Sequence, residues 1–257
     1  MKTIVSRDNP HFKALKKLCQ SGHERRKTGR IVLDGVHLLQ SYAECFGVPE
    51  EIIVSESGRL KAEIAACLVG ADAITLLPDA LFRELAPVET PTGIMAVAAR
   101  PSATTHPSAD ADAILLDGVQ DPGNVGSILR SAAAAGFRQI LLSPDCAQVW
   151  SPRVLRAAMG AHFRLELHED VNLPDFLGAY RGQAILTVLD ESATSLYSCD
   201  LTGPVAWVFG SEGQGVRPAV MQVVKTRIRI PMPGGGESLN VAAAAAICLF
   251  ETVRQRP

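Results

Sequence analysis

A chain of 257 residues, 47% apolar and with a formal net charge of −2, has material for one large domain or two ordinary ones, which excludes global disorder. No apolar run approaches the ~20 residues needed to cross a bilayer. The start, "MKTIVSRDNPHFKALKK", lacks the apolar stretch of a signal peptide, so a cytoplasmic protein with no membrane contact is expected.

The near-neutral total conceals an asymmetry. Residues 1–40 carry nine Lys or Arg against three acids, so the remainder is net acidic. Such a basic end is either a solvated helix face or a surface for a polyanion, and Lys16, Lys17, Arg25, Arg26, Lys27 and Arg30 are the candidates to face it. The cysteines Cys19, Cys45, Cys67, Cys146, Cys199 and Cys248 include no C-x-x-C pair, and the histidines form no metal-spaced pair. No disulfide framework and no metal site are expected, and most of these cysteines read as small buried hydrophobes.

The first segment reads as a basic amphipathic helix from about Pro10 to Cys19, with Phe12, Leu15 and Leu18 at helical spacing. A strand "RIVLDG", a helix "VHLLQSYAECF", a strand "EEIIVSE", a helix "LKAEIAACLVG" and the strands "AITLL" and "GIMAVAA" follow. They make a small α/β unit over residues 1–100. Residues 101–111, rich in Pro, Ser, Thr and Ala, read as a linker. In residues 112–257 strands alternate with helices: "AILLDG", "NVGSILRSAAAAGF" closing on Gly136, "QILLS", "PRVLRAAMGA", "RLELHE", "LPDFLGAYRG", "AILTVLD", "VAWVFG", "RIRIP" and "LNVAAAAAICLFETVRQ". Apolar strands alternating with helices predict a parallel sheet covered on both faces.

Ligands of open parallel sheets bind beyond the carboxyl ends of the strands. The loops there read "DGVQDPGNVGSILR", "DESATSL", "GSEGQGV" and "PMPGGGESLN". They concentrate Asn124, Arg130, Glu212, Ser238 and Asn240 among glycines. Helix capping alone could account for Asn124 or Asn240, and solvation or an ion pair for Arg130. The triple glycine, Gly234 to Gly236, is either a flexible loop or a place of close backbone approach. The chain has no G-x-x-x-x-G-K-[ST] and no G-x-S-x-G, and "GSEGQG" is not a dinucleotide fingerprint. Glycine-rich loops without a phosphate-binding lysine or metal ligands suit a small, non-phosphorylated cofactor.

"DPGNVGSILRSAAAAGF", "VFGSEGQGV" and "RIPMPGGGESLNVAAAAAICLFE" resemble, in order and spacing, the three motifs of the SpoU (TrmH-like) ribose methyltransferases of the SPOUT superfamily. Together they span about residues 117–251. "SRDNPHFKALKKL" and "LDGVHLL" resemble, more loosely, the small substrate-binding domain, related to a ribosomal protein fold, that many members carry. The resemblance implies an α/β fold: a C-terminal parallel-sheet domain with a deep trefoil knot, an exception to the no-knot rule, after a small N-terminal α/β domain. On that analogy the triple glycine lets backbone pass closely. The resemblance also implies a homodimer, with the knot region at its interface.

The implied reaction moves a methyl group from S-adenosylmethionine to a ribose 2′-hydroxyl of RNA, without a metal. Leu189, Gly210, Ile230 and Leu239 match the cofactor contacts. Arg130 matches the proposed base or its organiser, with Asn124, Glu212 and Asn240 around it and Ser238 a lesser candidate. A guanidinium pKa above ~12 makes organising the ribose and the developing alkoxide the easier role. Many members read S-L-N-V-S where this chain has "SLNVA", so Ala242 lacks a hydroxyl that others offer. Large-subunit ribosomal RNA is the expected target. The alternatives are a tRNA 2′-O-methyltransferase and a catalytically idle RNA-binding protein of the same fold.

Overall fold

The computed structural model describes residues 1–86, 88, 90–102, 106–190, 192–235 and 237–256. Internal contacts divide the chain into two units, Met1–Pro101 with Trp150–Phe163, and Ser102–Val149 with Arg164–Pro257.

In the first unit, β1 (Lys2–Thr3) leads to α1 (Pro10–Gln20) and α2 (Gly22–Thr28). Asn9 caps α1, its side chain accepting from the His11 amide at 2.9 Å, and Pro10 opens the first turn, where its missing N–H costs nothing. Then come β2 (Arg30–Asp34), α3 (Val36–Phe46), β3 (Glu51–Ser55), α4 (Ala62–Leu68), β4 (Ile74–Leu77), α5 (Asp79–Leu85) and β5 (Ile94–Ala99). The five strands lie in the order β1-β4-β3-β5-β2, with β1, β4 and β3 parallel and β5 antiparallel to β3 and β2. Phe12, Leu15 and Leu18 of α1 pack with Val32, Ile53, Leu81 and Phe82 as one core.

A helix from late in the sequence joins this unit: α7 (Pro152–Ala158) lies against β2, and Arg156 Nη1 donates to the buried Asp34 Oδ2 at 2.7 Å. Phe163 meets Tyr42 edge to face, with ring centres 5.5 Å apart. Residues 150–163 thus pack with the first unit, although the sequence reading assigns "PRVLRAAMGA" to the second segment.

The second unit contains β6 (Ala113–Asp117), α6 (Pro122–Ala134), β7 (Gln139–Leu142), β8 (Glu166–His168), α8 (Leu173–Ala179), β9 (Gln183–Thr187), β10 (Thr194–Ser195), β11 (Val205–Gly210), α9 (Pro218–Val223), β12 (Thr226–Arg229) and α10 (Val241–Gln255). Its sheet is parallel throughout, in the order β10-β12-β9-β11-β6-β7-β8. The expected parallel sheet is present, with β6 buried along its length and β11 buried up to Phe209. On one face Ala206, Val208, Leu186 and Leu115 pack with α8 and α9. On the other, the fully buried Trp207 donates to Thr252 Oγ1 of α10 at 3.1 Å. Helix α6 ends as expected on Gly136, whose φ of +81° a side chain would resist. The Gly136 amide donates to Ala133 and the Phe137 amide to Ala132, a Schellman closure.

Two expectations fail. Among the cysteines only Cys248 is buried; Cys45 is exposed and the other four lie between, Cys19 of these packing at the margin of the first unit's core. At Gly234 and Gly235 a Cβ would have nothing within 4 Å, so among the described residues neither is a point of close approach. Gly235 instead ends a turn closed by its amide on Met232 O at 3.1 Å, and its φ of +72° turns the chain onward. Gly236 lies outside the described residues. No helix is long and apolar enough to cross a membrane among the described residues.

Candidate active site

Consecutive β7 and β8 lie on one side of β6, and β11 lies on the other, so the strand order reverses between β6 and β11. Crevices form at such reversals, beyond the carboxyl ends of the strands. The ends of β9, β11 and β12 and the start of α10 enclose a cavity of about 570 Å³, within the usual range for small-molecule sites. Leu189, Gly210, Ile230 and Leu239, the four candidate cofactor contacts, all line it. Glu212, Ser238 and Asn240 line it too. Leu189 and Leu239 are 66% and 39% exposed, unusual for leucines lining a concave surface and suited to covering by a flat apolar ligand.

Glu212 is the sole ionisable side chain among the described lining residues. A cavity without Lys or Arg is poorly made for a phosphate, and a lone carboxylate favours a ligand carrying positive charge. The wall over β11 is unusually tight. A Cβ on Gly210 would stand 2.2 Å from the Gly215 carbonyl carbon and 2.4 Å from the Val216 amide nitrogen, so this position admits glycine alone. The loop is closed on itself by reciprocal Ser211–Gly215 bonds of 3.1 and 2.9 Å.

Three of the four candidate catalytic residues meet. Asn124, in the first turn of α6, donates its amide to Glu212 Oε1 and accepts from Asn240 Nδ2 at 2.9 Å. Asn240 also caps α10, its Oδ1 accepting from the Ala242 and Ala243 amides at 2.9 and 3.3 Å. Asn124 is not a cap; Asp121 fills that role, accepting from the Asn124 amide at 2.8 Å. At Ala242, then, the backbone amide is engaged and no hydroxyl is required for the cap. Arg130 stands apart. It lies six residues beyond Asn124 on α6, roughly 9 Å along the axis, exposed and outside the cavity lining. Among the described residues its guanidinium has no hydrogen bond or ion pair.

The basic candidates of the first unit divide. Arg25 is 4% exposed and donates from Nη1 to Leu18 O and Cys19 O, at 2.9 and 3.1 Å, tying α2 to the end of α1. It is buried because its aliphatic stem fills the corner between the two helices while its head satisfies orphan carbonyls, so it is not offered to a polyanion. Lys16 pairs with Glu84 at 3.4 Å and Arg30 with Glu50 at 2.8 Å. Lys17, Arg26 and Lys27 are exposed and have no ion pair among the described residues.

Sequence reasoning missed Asp117 and Arg217. Asp117 ends β6 with its side chain fully buried, and its Oδ1 and Oδ2 accept from Arg217 Nε and the Arg217 amide, each at 2.7 Å. The signal was available: an acid directly after four buried apolar residues in "AILLD" must find a partner.

The SpoU rRNA Methylase family model matches residues 112–250, and that of the MRM3-like substrate binding domain matches residues 9–96. The chain belongs to the SpoU methylase family. A 23S rRNA (guanosine(2553)-2′-O)-methyltransferase of Bacillus subtilis is 32% identical over 97% of this chain and 98% of its own length. The crystal structure of an RNA 2′-O ribose methyltransferase superposes with a TM-score of 0.84 at 30% identity, covering 98% of both chains. The SpoU methyltransferase AviRb from Streptomyces viridochromogenes, in complex with the cofactor AdoMet, gives a TM-score of 0.84 at 26% identity over 96% of this chain and 98% of that one. The SpoU member described here is an S-adenosylmethionine-dependent RNA ribose 2′-O-methyltransferase. Among the described residues no group of three or more His, Cys, Asp or Glu could hold a metal ion.

Proposed function

We propose that this enzyme methylates a ribose of large-subunit ribosomal RNA in the cytoplasm, with the cavity at the ends of β9, β11 and β12 as its cofactor site. The observation that carries the site assignment is the Glu212–Asn124–Asn240 chain beside a largely apolar cavity with no Lys or Arg among its described lining residues. S-adenosylmethionine, bound there, supplies an electrophilic methyl group on a cationic sulfur. The lining fits it: leucines and isoleucine for the adenosine, backbone groups at strand ends for polar edges, and one carboxylate for the positive charge. The ribosomal target is supported by the Bacillus subtilis relative, whose likeness runs through both units, and by the match of residues 9–96 to a substrate-binding domain.

The residues divide the work. Asn124 holds Glu212 on one side and Asn240 on the other, which fixes three side chains at the edge of the cavity before any substrate arrives. Such preorganisation spares the reaction the reorganisation that water would require. Arg130, exposed and unpartnered among the described residues, is free to take the ribose and its adjoining phosphate and to stabilise the negative charge that develops on the 2′-oxygen. A guanidinium, which holds its proton so firmly, suits that role better than proton abstraction. The distance of Arg130 from the cavity lining favours a site completed by a second copy of the chain, so a homodimer is part of the proposal. A trefoil knot is also part of it, supported by β12 lying between β9 and β10 and by the convergence of three C-terminal loops on one cavity. Lys17, Arg26 and Lys27 are the proposed RNA-facing cations of the first unit.

The test is methyl transfer from labelled S-adenosylmethionine to RNA from a strain lacking the gene, by wild type and Arg130→Ala. Label in the large ribosomal RNA, cut at least ~100-fold by the substitution with cofactor affinity unchanged, is the expected result. Label confined to transfer RNA would refute the target, and equal activity of Arg130→Ala would refute the role of Arg130.

A further inference from the structure

We propose that Arg217 is a positioning residue of the methyl-transfer site, acting through Glu212 by fixing the far end of the loop that walls the cavity. The inference rests on the reading of that cavity as the cofactor site.

The loop Ser211–Val216 leaves β11 at Gly210 and enters α9 at Arg217. Its internal bonds, Ser211 with Gly215 in both directions and the Gln214 amide on Ser211 Oγ at 3.2 Å, define its shape. They do not place it over the sheet. Two side-chain anchors do. At the near end Glu212 is held by Asn124. At the far end Arg217 is held by Asp117, on the strand beside β11.

The far anchor is tightly determined. Asp117 Oδ2 accepts from the Arg217 backbone amide, and Oδ1 accepts from Nε at 2.7 Å and Nη2 at 2.6 Å, all onto a carboxylate with no exposed surface. Nη1 reaches Asp145 Oδ2, in the segment after β7, at 3.2 Å. One arginine therefore joins the end of β6 to the segments that follow β7 and β11, and it does so with a planar fork that lysine lacks. Helix α9 does not need this pair to stay in place, because Val220 is fully buried against α8 and the sheet. A buried ion pair is also an inefficient source of stability compared with apolar packing. Val216 packs on the same core, and what the pair adds is a directional constraint on where the loop re-enters the fold, and with it on the place of Glu212 and of the cavity wall. Arg217 itself does not line the cavity.

The experiment is a double-mutant cycle of Arg217→Lys with Glu212→Gln, read as kcat, KM for S-adenosylmethionine and RNA affinity without cofactor. Arg217→Lys should lower kcat about tenfold and raise the cofactor KM, with RNA affinity within about twofold. In the Glu212→Gln background the same change should cost less than about twofold in kcat, since its effect runs through Glu212. Equal factors in the two backgrounds would overturn the proposal, as would a loss of melting temperature with kcat and KM intact. Should Arg217→Lys not fold, Asp145→Asn, which loosens only the exposed contact, should show a smaller kcat loss with the same coupling to Glu212; additivity there would refute the idea. Leu239→Trp separates the two layers of the argument. Unchanged cofactor binding by that variant would remove the cavity reading, whereas lost binding beside a silent Arg217→Lys would remove the Arg217 proposal alone.

Discussion

Gly210→Ala tests the cavity wall with a single methyl group. The new Cβ would stand 2.2 Å from the Gly215 carbonyl carbon and 2.4 Å from its oxygen, and backbone cannot rotate aside as a long side chain can. Relieving the overlap to ordinary contact requires the loop to retreat by about 1 Å or more. The loop is tied at Asn124 and Asp117, so the retreat must strain one of those anchors or open the Ser211–Gly215 bridge. Overpacking of this kind typically costs about 1–3 kcal/mol. If the strain is relieved by displacing the wall, that cost appears as cofactor affinity, about 5- to 150-fold weaker. Titration calorimetry with S-adenosylmethionine, alongside thermal denaturation, measures both quantities. Wild-type affinity and melting temperature together in Gly210→Ala would refute the claim that the wall is rigid and close-packed.

Asn240→Asp separates capping from chemistry. Aspartate caps a helix as well as asparagine does, so stability should stay within about 0.5 kcal/mol by chemical denaturation, while the lost Nδ2 donor and the added charge near Glu212 should reduce kcat at least about tenfold. Retained activity would show that the bond to Asn124 is incidental. Replacing Lys17, Arg26 and Lys27 with alanine should weaken RNA binding and flatten its salt dependence, by about one unit of slope for each phosphate left without its cation, with cofactor affinity unchanged. Arg25→Ala should instead lower the melting temperature, because it strands the carbonyls of Leu18 and Cys19. On α10 the Arg254 guanidinium beside Glu251, and then the Gln255 amide, hold the Glu251 carboxyl at about 2 against the opposing effect of burial. A depressed folded-state value stabilises the fold above the unfolded carboxyl pKa, about 4.3, and that contribution is lost as the pH falls from there toward 2. Glu251→Gln should therefore remove part of the acid sensitivity in this window in a pH series of denaturation curves.

Most of the local architecture was legible in the order of residues, because periodicity, prolines and capping residues act over a few positions. Asn9 with Pro10 and the Gly136 closure specify where helices start or stop, whereas α6 starts at Pro122 on the Asp121 cap, two residues before the expected start at Asn124; the apolar runs of β6 and β11 suit a covered parallel sheet. The three motifs likewise identified the family, and Leu189, Gly210, Ile230 and Leu239 were legible as cavity residues through that likeness. The short helices α2, α5 and α9 were not legible: six or seven residues carry at most two turns of periodicity, and the equally short α4, α7 and α8 were legible only within longer patterned runs.

Which distant groups meet is a matter that the path of the chain through space had to decide. Asp117 and Arg217 are 100 positions apart and touch because β6 and β11 are neighbours in a sheet whose order no local pattern states. Arg25 reads as a surface cation until α2 folds against the end of α1 and buries it. The close approach expected at the triple glycine is absent at Gly234 and Gly235 and present at Gly210, where the strand end meets its own returning loop. Glycine spacing shows that backbone needs freedom or room; only the folded chain shows which.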